Sequence, residues 1–112
     1  MKIYLAGQMG GIKHFNAHAF DNAARRLRGV GHDVINPIDL DRADGHEVMG
    51  QDGMNTDPIM RRHFLGRDLK LISECDALYM IRGWYKSGGA RLEHAFALET
   101  ELKIIYEEDG EL

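Results

Sequence analysis

One cysteine, two prolines and one tryptophan among 112 residues leave little from which to build a covalent framework. Cys75 stands alone, so neither a disulfide network nor a cysteine metal site can form within one chain, and a reducing, cytoplasmic setting is expected. Beside the strand-like run Asp76–Ile81 it reads as a small packed residue, because no basic activator stands near it in sequence. A surplus of basic residues is missing as well: 14 Lys and Arg against 18 Asp and Glu give a net charge of −4. That balance argues against a nucleic-acid polymer as partner, since phosphate backbones are met by a basic face. Long apolar runs are absent too; the short one in Met1–Gly7 is expected to be neither a leader nor a membrane span. No P-loop, G-x-S-x-G elbow or C-x-x-C pair occurs. The turn Gly7-Gln8-Met9-Gly10-Gly11 misses the dinucleotide spacing G-x-G-x-x-G because position 9 is Met.

What is present is a soluble, globular composition, 44% apolar and 29% charged, enough for one domain over residues 1–112. Lys2–Ala6 reads as a central buried strand. Phe15, Ala19, Ala23 and Leu27 recur every four positions, which predicts an amphipathic helix with Asn16 as N-cap and Gly29 or Gly31 as the stop. His32–Pro37 reads as a second strand that Pro37 ends, so strand, helix and strand form a parallel βαβ unit. Residues 38–57, with interleaved Asp, Glu and Gly, read as irregular; no calcium loop fits their register. Pro58 opens a helix over 59–74, whose Arg61, Arg62, Arg67 and Lys70 are expected to form an exposed basic face. A strand Asp76–Ile81, a helix from about Gly88 to Glu101, a strand Lys103–Tyr106 and a fraying acidic tail, 107–112, complete the chain. The expected architecture is a flavodoxin-like or Rossmann-like doubly wound α/β fold: four or five mainly parallel strands with helices on both faces.

Chemistry concentrates at Ser87-Gly88-Gly89-Ala90-Arg91-Leu92-Glu93, where a strand passes through a glycine-rich turn into a helix. Unpaired N–H groups of such a helix face the carboxyl end of the strand, where open α/β sheets bind ligands. Glu93 is expected in or near the first turn, where the helix dipole favours its ionised form as a nucleophile or base. Two carboxylates a few ångströms apart can cleave a glycosidic bond with retention, and Glu93 with Asp68 is the pair the layout brings together. Tyr4 either donates its phenol to the nucleophile or is a packed strand tyrosine. Trp84 and Tyr85 either stack on a planar base or are rim or dimer-contact aromatics. Ser87, Gly88 and Gly89 suit a phosphate or a sugar hydroxyl. Gly7, Gln8, Met9 and Gly10 form a turn where a ligand can approach the backbone. His14 and His18 stand four apart but lack a third ligand, so no metal and no cofactor are expected.

Taken together, Tyr4-Leu5-Ala6-Gly7, Arg67-Asp68-Leu69, Cys75-Asp76-Ala77-Leu78-Tyr79 and Gly89-Ala90-x-x-Glu93-x-Ala95-x-Ala97 resemble the nucleoside 2-deoxyribosyltransferase superfamily. More narrowly, the chain resembles its short phage and bacterial deoxyribosyltransferase-like members, over nearly everything except 38–57. The resemblance implies that Glu93 attacks the anomeric carbon of a 2-deoxyribosyl group, that Asp68 assists at the base or sugar, and that Tyr4 orients the glutamate. It implies a sugar-bound intermediate passed to a second base or to water. Ser87 stands where transferases of free nucleosides carry an aspartate, and so looks like the relatives that hydrolyse nucleoside 5′-monophosphates. Gln8 and Gly10 stand where those hydrolases have a serine and an arginine. A small-molecule nucleoside or nucleotide partner, and a homodimer or higher oligomer sharing its active sites, are further implications. Outside this enzyme class, a nucleotide-binding or sensing module of the same fold, without turnover, accounts for the same residues.

Overall fold

The computed structural model describes residues 1–9, 12, 16–43 and 57–109. Strand β1 (Lys2–Ala6) is followed by helix α1 (Ala17–Gly29), strand β2 (Asp33–Ile35), helix α2 (Pro37–Ala43) and helix α3 (Pro58–Ile72). Strand β3 (Ala77–Met80), a short 3₁₀ turn (Trp84–Lys86), helix α4 (Gly88–Glu99), strand β4 (Lys103–Tyr106) and a 3₁₀ turn (Glu107–Asp109) follow. Among the described residues four strands form one parallel sheet in the order β2-β1-β3-β4. This is the doubly wound α/β architecture expected.

Strand alternation divides the core between the two faces. Ile3 and Leu5 of β1 join Ala77 and Tyr79 of β3 under α1, which contributes Phe20, Ala23, Ala24 and Leu27. Tyr4 and Ala6 join Leu78 and Met80 on the opposite face, against Ile72 of α3 and Ala90 and Ala97 of α4. The even residues of β1 therefore decide what α3 and α4 meet. Tyr4 is one of them, in register with Ile35 on one side and Leu78 on the other.

Several local expectations are corrected. Asn16 does occupy the N-cap position of α1, but in a left-handed conformation (φ 61°) and without a side-chain cap bond; its amide instead donates to the Gln8 carbonyl at 3.0 Å, tying the helix entry to the first turn. Phe15, the expected first residue, lies outside the described residues. The helix stops as its glycines suggested, for Gly31 is left-handed (φ 98°) and the N–H groups of Gly31 and His32 return to the carbonyls of Arg28 and Leu27. That is a Schellman closure.

Residues 37–43 are helical and not irregular, and the reason is legible in Asn36-Pro37. The Asn36 side-chain oxygen accepts from the Ile38 N–H at 3.0 Å, while Pro37 fills the first helical position, where a missing N–H costs nothing. Asp57-Pro58 repeats the device, with the Asp57 carboxylate accepting from the Ile59 N–H at 3.0 Å. Pro37 does end β2, as expected, but it does so by starting α2.

The tail is also tighter than a frayed one at its beginning. Glu107 accepts from the Arg82 N–H at 2.8 Å and pairs with Arg26 of α1 at 2.7 Å. It thus clasps β4 to the exit of β3 and to the helix on one face.

Gly7, read as a point of ligand approach, has a packing role that suffices to explain it: a Cβ there would stand 3.0 Å from Ile81 Cβ and 3.3 Å from Phe20 Cζ. Because Ile81 Cβ is fixed to its own backbone, Gly7→Ala is expected to cost about 1–3 kcal/mol through overpacking. Urea unfolding, with an unchanged slope and a lowered midpoint, checks this.

Candidate active site

Three elements deliver the candidate residues to one place. Tyr4 points from β1 into the α3/α4 face, two residues short of the strand's end. Asp68 comes from the last turns of α3, and Glu93 from α4. Tyr4 feels both carboxylates, and Glu93 feels Asp68. Burial, and then the charges of Glu93 and Asp68, push the Tyr4 phenol well above its usual value, so it remains a proton donor at every physiological pH. Its hydroxyl is fully buried and forms no hydrogen bond of full geometry among the described residues. The acceptor it approaches is the Asp68 carboxylate.

Glu93 is not in the first turn. It is the sixth residue of α4, whose cap is the Ser87 hydroxyl accepting from the Ala90 N–H at 3.2 Å. The dipole effect fades beyond the first turn, while at 6% exposure the carboxyl is cut off from water. Burial dominates and pushes its pKa well up; Asp68 adds to the rise and Arg67 opposes it. The expectation of a dipole-ionised glutamate is therefore reversed, and in the free protein Glu93 is the member of the pair disposed to hold a proton. Asp68 is raised too, by burial first, but Arg67 bonds to it directly and pulls in the opposite direction.

Arg67 itself is misplaced by the sequence reading. It is not on an exposed basic face: its guanidinium, with the side chain 20% exposed, reaches Asp68 Oδ1 at 2.9 Å and Asp41 Oδ1 at 3.1 Å. It also lies 5.2 Å over the Phe64 ring. Burial lowers its pKa, but Asp68 and Asp41 outweigh that and hold it charged. The available signal was spacing, for Phe64, Arg67, Asp68 and Leu71 follow the i, i+3, i+4, i+7 stripe that faces inward. Asp41, missed altogether, stands three residues after the buried Ile38 on α2 and shares its face.

A model of one family, described as a domain of unknown function (DUF4406), matches residues 1–106. The chain belongs to the DUF4406 family. No curated protein matches it. The DUF4406 span contains every member of the cluster, from Tyr4 through Asp41, Arg67 and Asp68 to Glu93, and closes on the last residue of β4.

The other expected residues of this DUF4406 chain lie around the cluster without touching it in the same way. Ser87 uses its oxygen as the α4 cap, while Gly88 is exposed and Gly89 half-buried beside Leu65. One face of the Trp84 indole is taken by His94, stacked at 4.3 Å, whose Nε2 shares a 2.7 Å hydrogen bond with the Tyr106 hydroxyl. Tyr85 is exposed. Met9 packs on the α1 side of the sheet and Gln8 binds Asn16 through its carbonyl. Gly10 and His14 lie outside the described residues, as does 44–56; His18 Nε2 meets the Asn22 amide at 3.0 Å. No helix among the described residues is long and apolar enough to cross a membrane.

The unsatisfied Tyr4 hydroxyl yields a direct prediction. Tyr4→Phe removes a buried polar atom that gains no full hydrogen bond in the free protein, so stability should stay level or rise. If the phenol orients a reacting carboxylate, the same change should slow turnover by about 10- to 100-fold, the worth of a hydrogen bond to a charged group. Thermal melts and initial rates on one preparation check both halves.

Proposed function

We propose that this protein cleaves the N-glycosidic bond of a 2′-deoxynucleoside or its 5′-monophosphate, with Glu93 as nucleophile, Asp68 as acid and base, and Tyr4 as orienting donor. The observation that carries the reading is convergence: the buried Tyr4 of β1, the part-buried Asp68 of α3 and the buried Glu93 of α4, far apart in sequence, come close enough for both carboxylates to act on the phenol and for Asp68 to act on Glu93. Burying the Glu93 carboxyl beside a second carboxyl that Arg67 already pairs costs stability, and such an arrangement points to chemistry.

The steps balance around one shared proton. Glu93 holds it in the free protein; in the reactive arrangement it has passed to Asp68, leaving Glu93 ionised. A Glu93 oxygen bonds to the anomeric carbon as the carbon–nitrogen bond breaks, and the departing base takes the proton from Asp68. Asp68, now a carboxylate, draws a proton from the incoming water or second base, which displaces Glu93 from the sugar. Hydrolysis and base exchange differ only in that last acceptor. Ser87, whose hydroxyl hydrogen stays available while its oxygen caps α4, supports the monophosphate and its hydrolysis.

One observation favours a second reading, a nucleotide-binding module without turnover: burial opposes the ionised Glu93 that attack demands. Incubation of deoxynucleosides and their 5′-monophosphates, with and without a second free base, separates the two. Release of base by the parent and its loss in Glu93→Ala supports the enzyme. A thermal shift with nucleotide, no product, and equal binding by Glu93→Ala supports the module. Free sugar against a new nucleoside separates hydrolysis from transfer.

A further inference from the structure

Beyond the nucleophile, acid and orienting phenol, the cluster contains a cation that the proposed chemistry has not used. Among the described residues Arg67 is held by two carboxylates and an aromatic ring. Its Nη1 donates to Asp41 Oδ1 at 3.1 Å, its Nε to Asp68 Oδ1 at 3.0 Å, and its plane lies over Phe64. Such a fork is pre-organised in a way a lysine stem is not. Its direct bond within the pair is to Asp68, while its charge is felt by both carboxyls.

We propose that Arg67, held by Asp41, is the positioning residue that keeps the Asp68–Glu93 pair at a single shared proton, so that one carboxyl is always available as a carboxylate and the other as an acid. The inference deepens the glycosidic reading and rests on it for its meaning, but the proton inventory is a property of the free protein.

Among the described residues, Tyr4 of β1 and Asp68 and Arg67 of α3 face Glu93, while Arg67, Tyr4 and Asp41 of α2 face Asp68. Tyr4 is neutral. Among the described residues Arg67 is the cation of the cluster, and without it the part-buried Asp68 and the buried Glu93 would each be pushed towards the protonated form. Both would then be neutral, with no nucleophile. With one guanidinium bonded to Asp68, that carboxyl gives up its proton and the pair retains one. Asp41 supplies placement: it is the second carboxylate that the guanidinium fork spans, and it fixes α2 against α3 across the site. His94, the neighbour of Glu93 on its own helix, is turned to Trp84 and Tyr106 and takes no part.

The test is a carbon-13 NMR titration of the carboxyl groups in the free protein, with base release from a deoxynucleotide measured in parallel. In the parent, one carboxyl of the pair should be ionised and the other protonated across the neutral range. In Arg67→Met both should be protonated there, with the first ionisation, and the acidic limb of the rate profile, moved up by about one to two pH units. Arg67→Gln, a polar replacement, carries the same expectation if the methionine variant does not fold. Arg67→Lys, which keeps the charge, should restore the single proton, a rescue that a purely structural arginine would not show. Superimposable titrations of parent, Gln and Met variants would overturn the proposal even if base release continues. If instead the titrations move as expected but no base is released by the parent, the proton device stands and the glycosidic reading fails.

Discussion

Replacing Glu93 by glutamine should abolish turnover and stabilise the fold at the same time. The amide matches the carboxyl in shape but cannot form the glycosyl ester, so base release should fall by about 10³-fold or more, the scale on which loss of a nucleophile is felt. Stability should move the other way, and the sign follows from protonation. Burial raises the folded-state pKa of Glu93 above its ordinary value near 4.5. Between that ordinary value and the raised one the folded protein holds a proton that the unfolded chain has released. Stability is therefore greatest below the ordinary value and declines as pH rises through this window. Glutamine has no proton to gain or lose, so the decline should flatten, and at neutral pH the melting temperature should rise by about 4 °C for each kcal/mol relieved. Melting curves of parent and Glu93→Gln from pH 4 to pH 8 check it; parallel curves would mean that Glu93 is solvated in a way its 6% exposure contradicts.

Asp68→Asn is expected to have the next largest effect and a different signature. An acid that protonates the leaving base contributes about 10²- to 10⁴-fold, and its loss should fall hardest on substrates whose base departs poorly. Deoxyribosides with weakly basic leaving groups, which need little protonation, should recover much of the rate in Asp68→Asn but none of it in Glu93→Gln. The substitution also removes the negative charge that raises Glu93. Glu93 should then ionise at lower pH, with the acidic limb of any residual activity moving down. Equal loss on all leaving groups would assign Asp68 to holding Arg67 and Tyr4 in place, and not to proton transfer.

The strands and the faces of the sheet were legible because β1 and β3 are continuous apolar runs and α1 repeats its small residues every four positions. Glu93 and Asp68 were legible as a pair because a strand–turn–helix order places their elements on one side of the sheet. What escaped were interactions that depend on which way a side chain leaves its helix. Arg67 counted as one more exposed cation among Arg61, Arg62 and Lys70, and only its place between Phe64 and Leu71, three residues after one and four before the other, separates it from them. The α2 helix escaped because a proline was read as the end of a strand and not as the beginning of a helix capped by its neighbour. Glu93 escaped in its protonation: position near a helix start suggested an ionised side chain, and one further turn into the interior was enough for desolvation to prevail.

The strand order has a consequence for biosynthesis. Of the four described strands, β1 precedes the others in the chain and is one of the two inner ones, and its second neighbour, β3, is complete only once Met80 has been added. Even at about 5–20 residues per second, Ile3–Ala6 must wait on the order of several seconds for that partner, carrying an uncovered apolar ridge meanwhile. Substitutions that weaken β3 should therefore reduce the yield of soluble protein in the cell more than they lower the melting temperature of the purified fold.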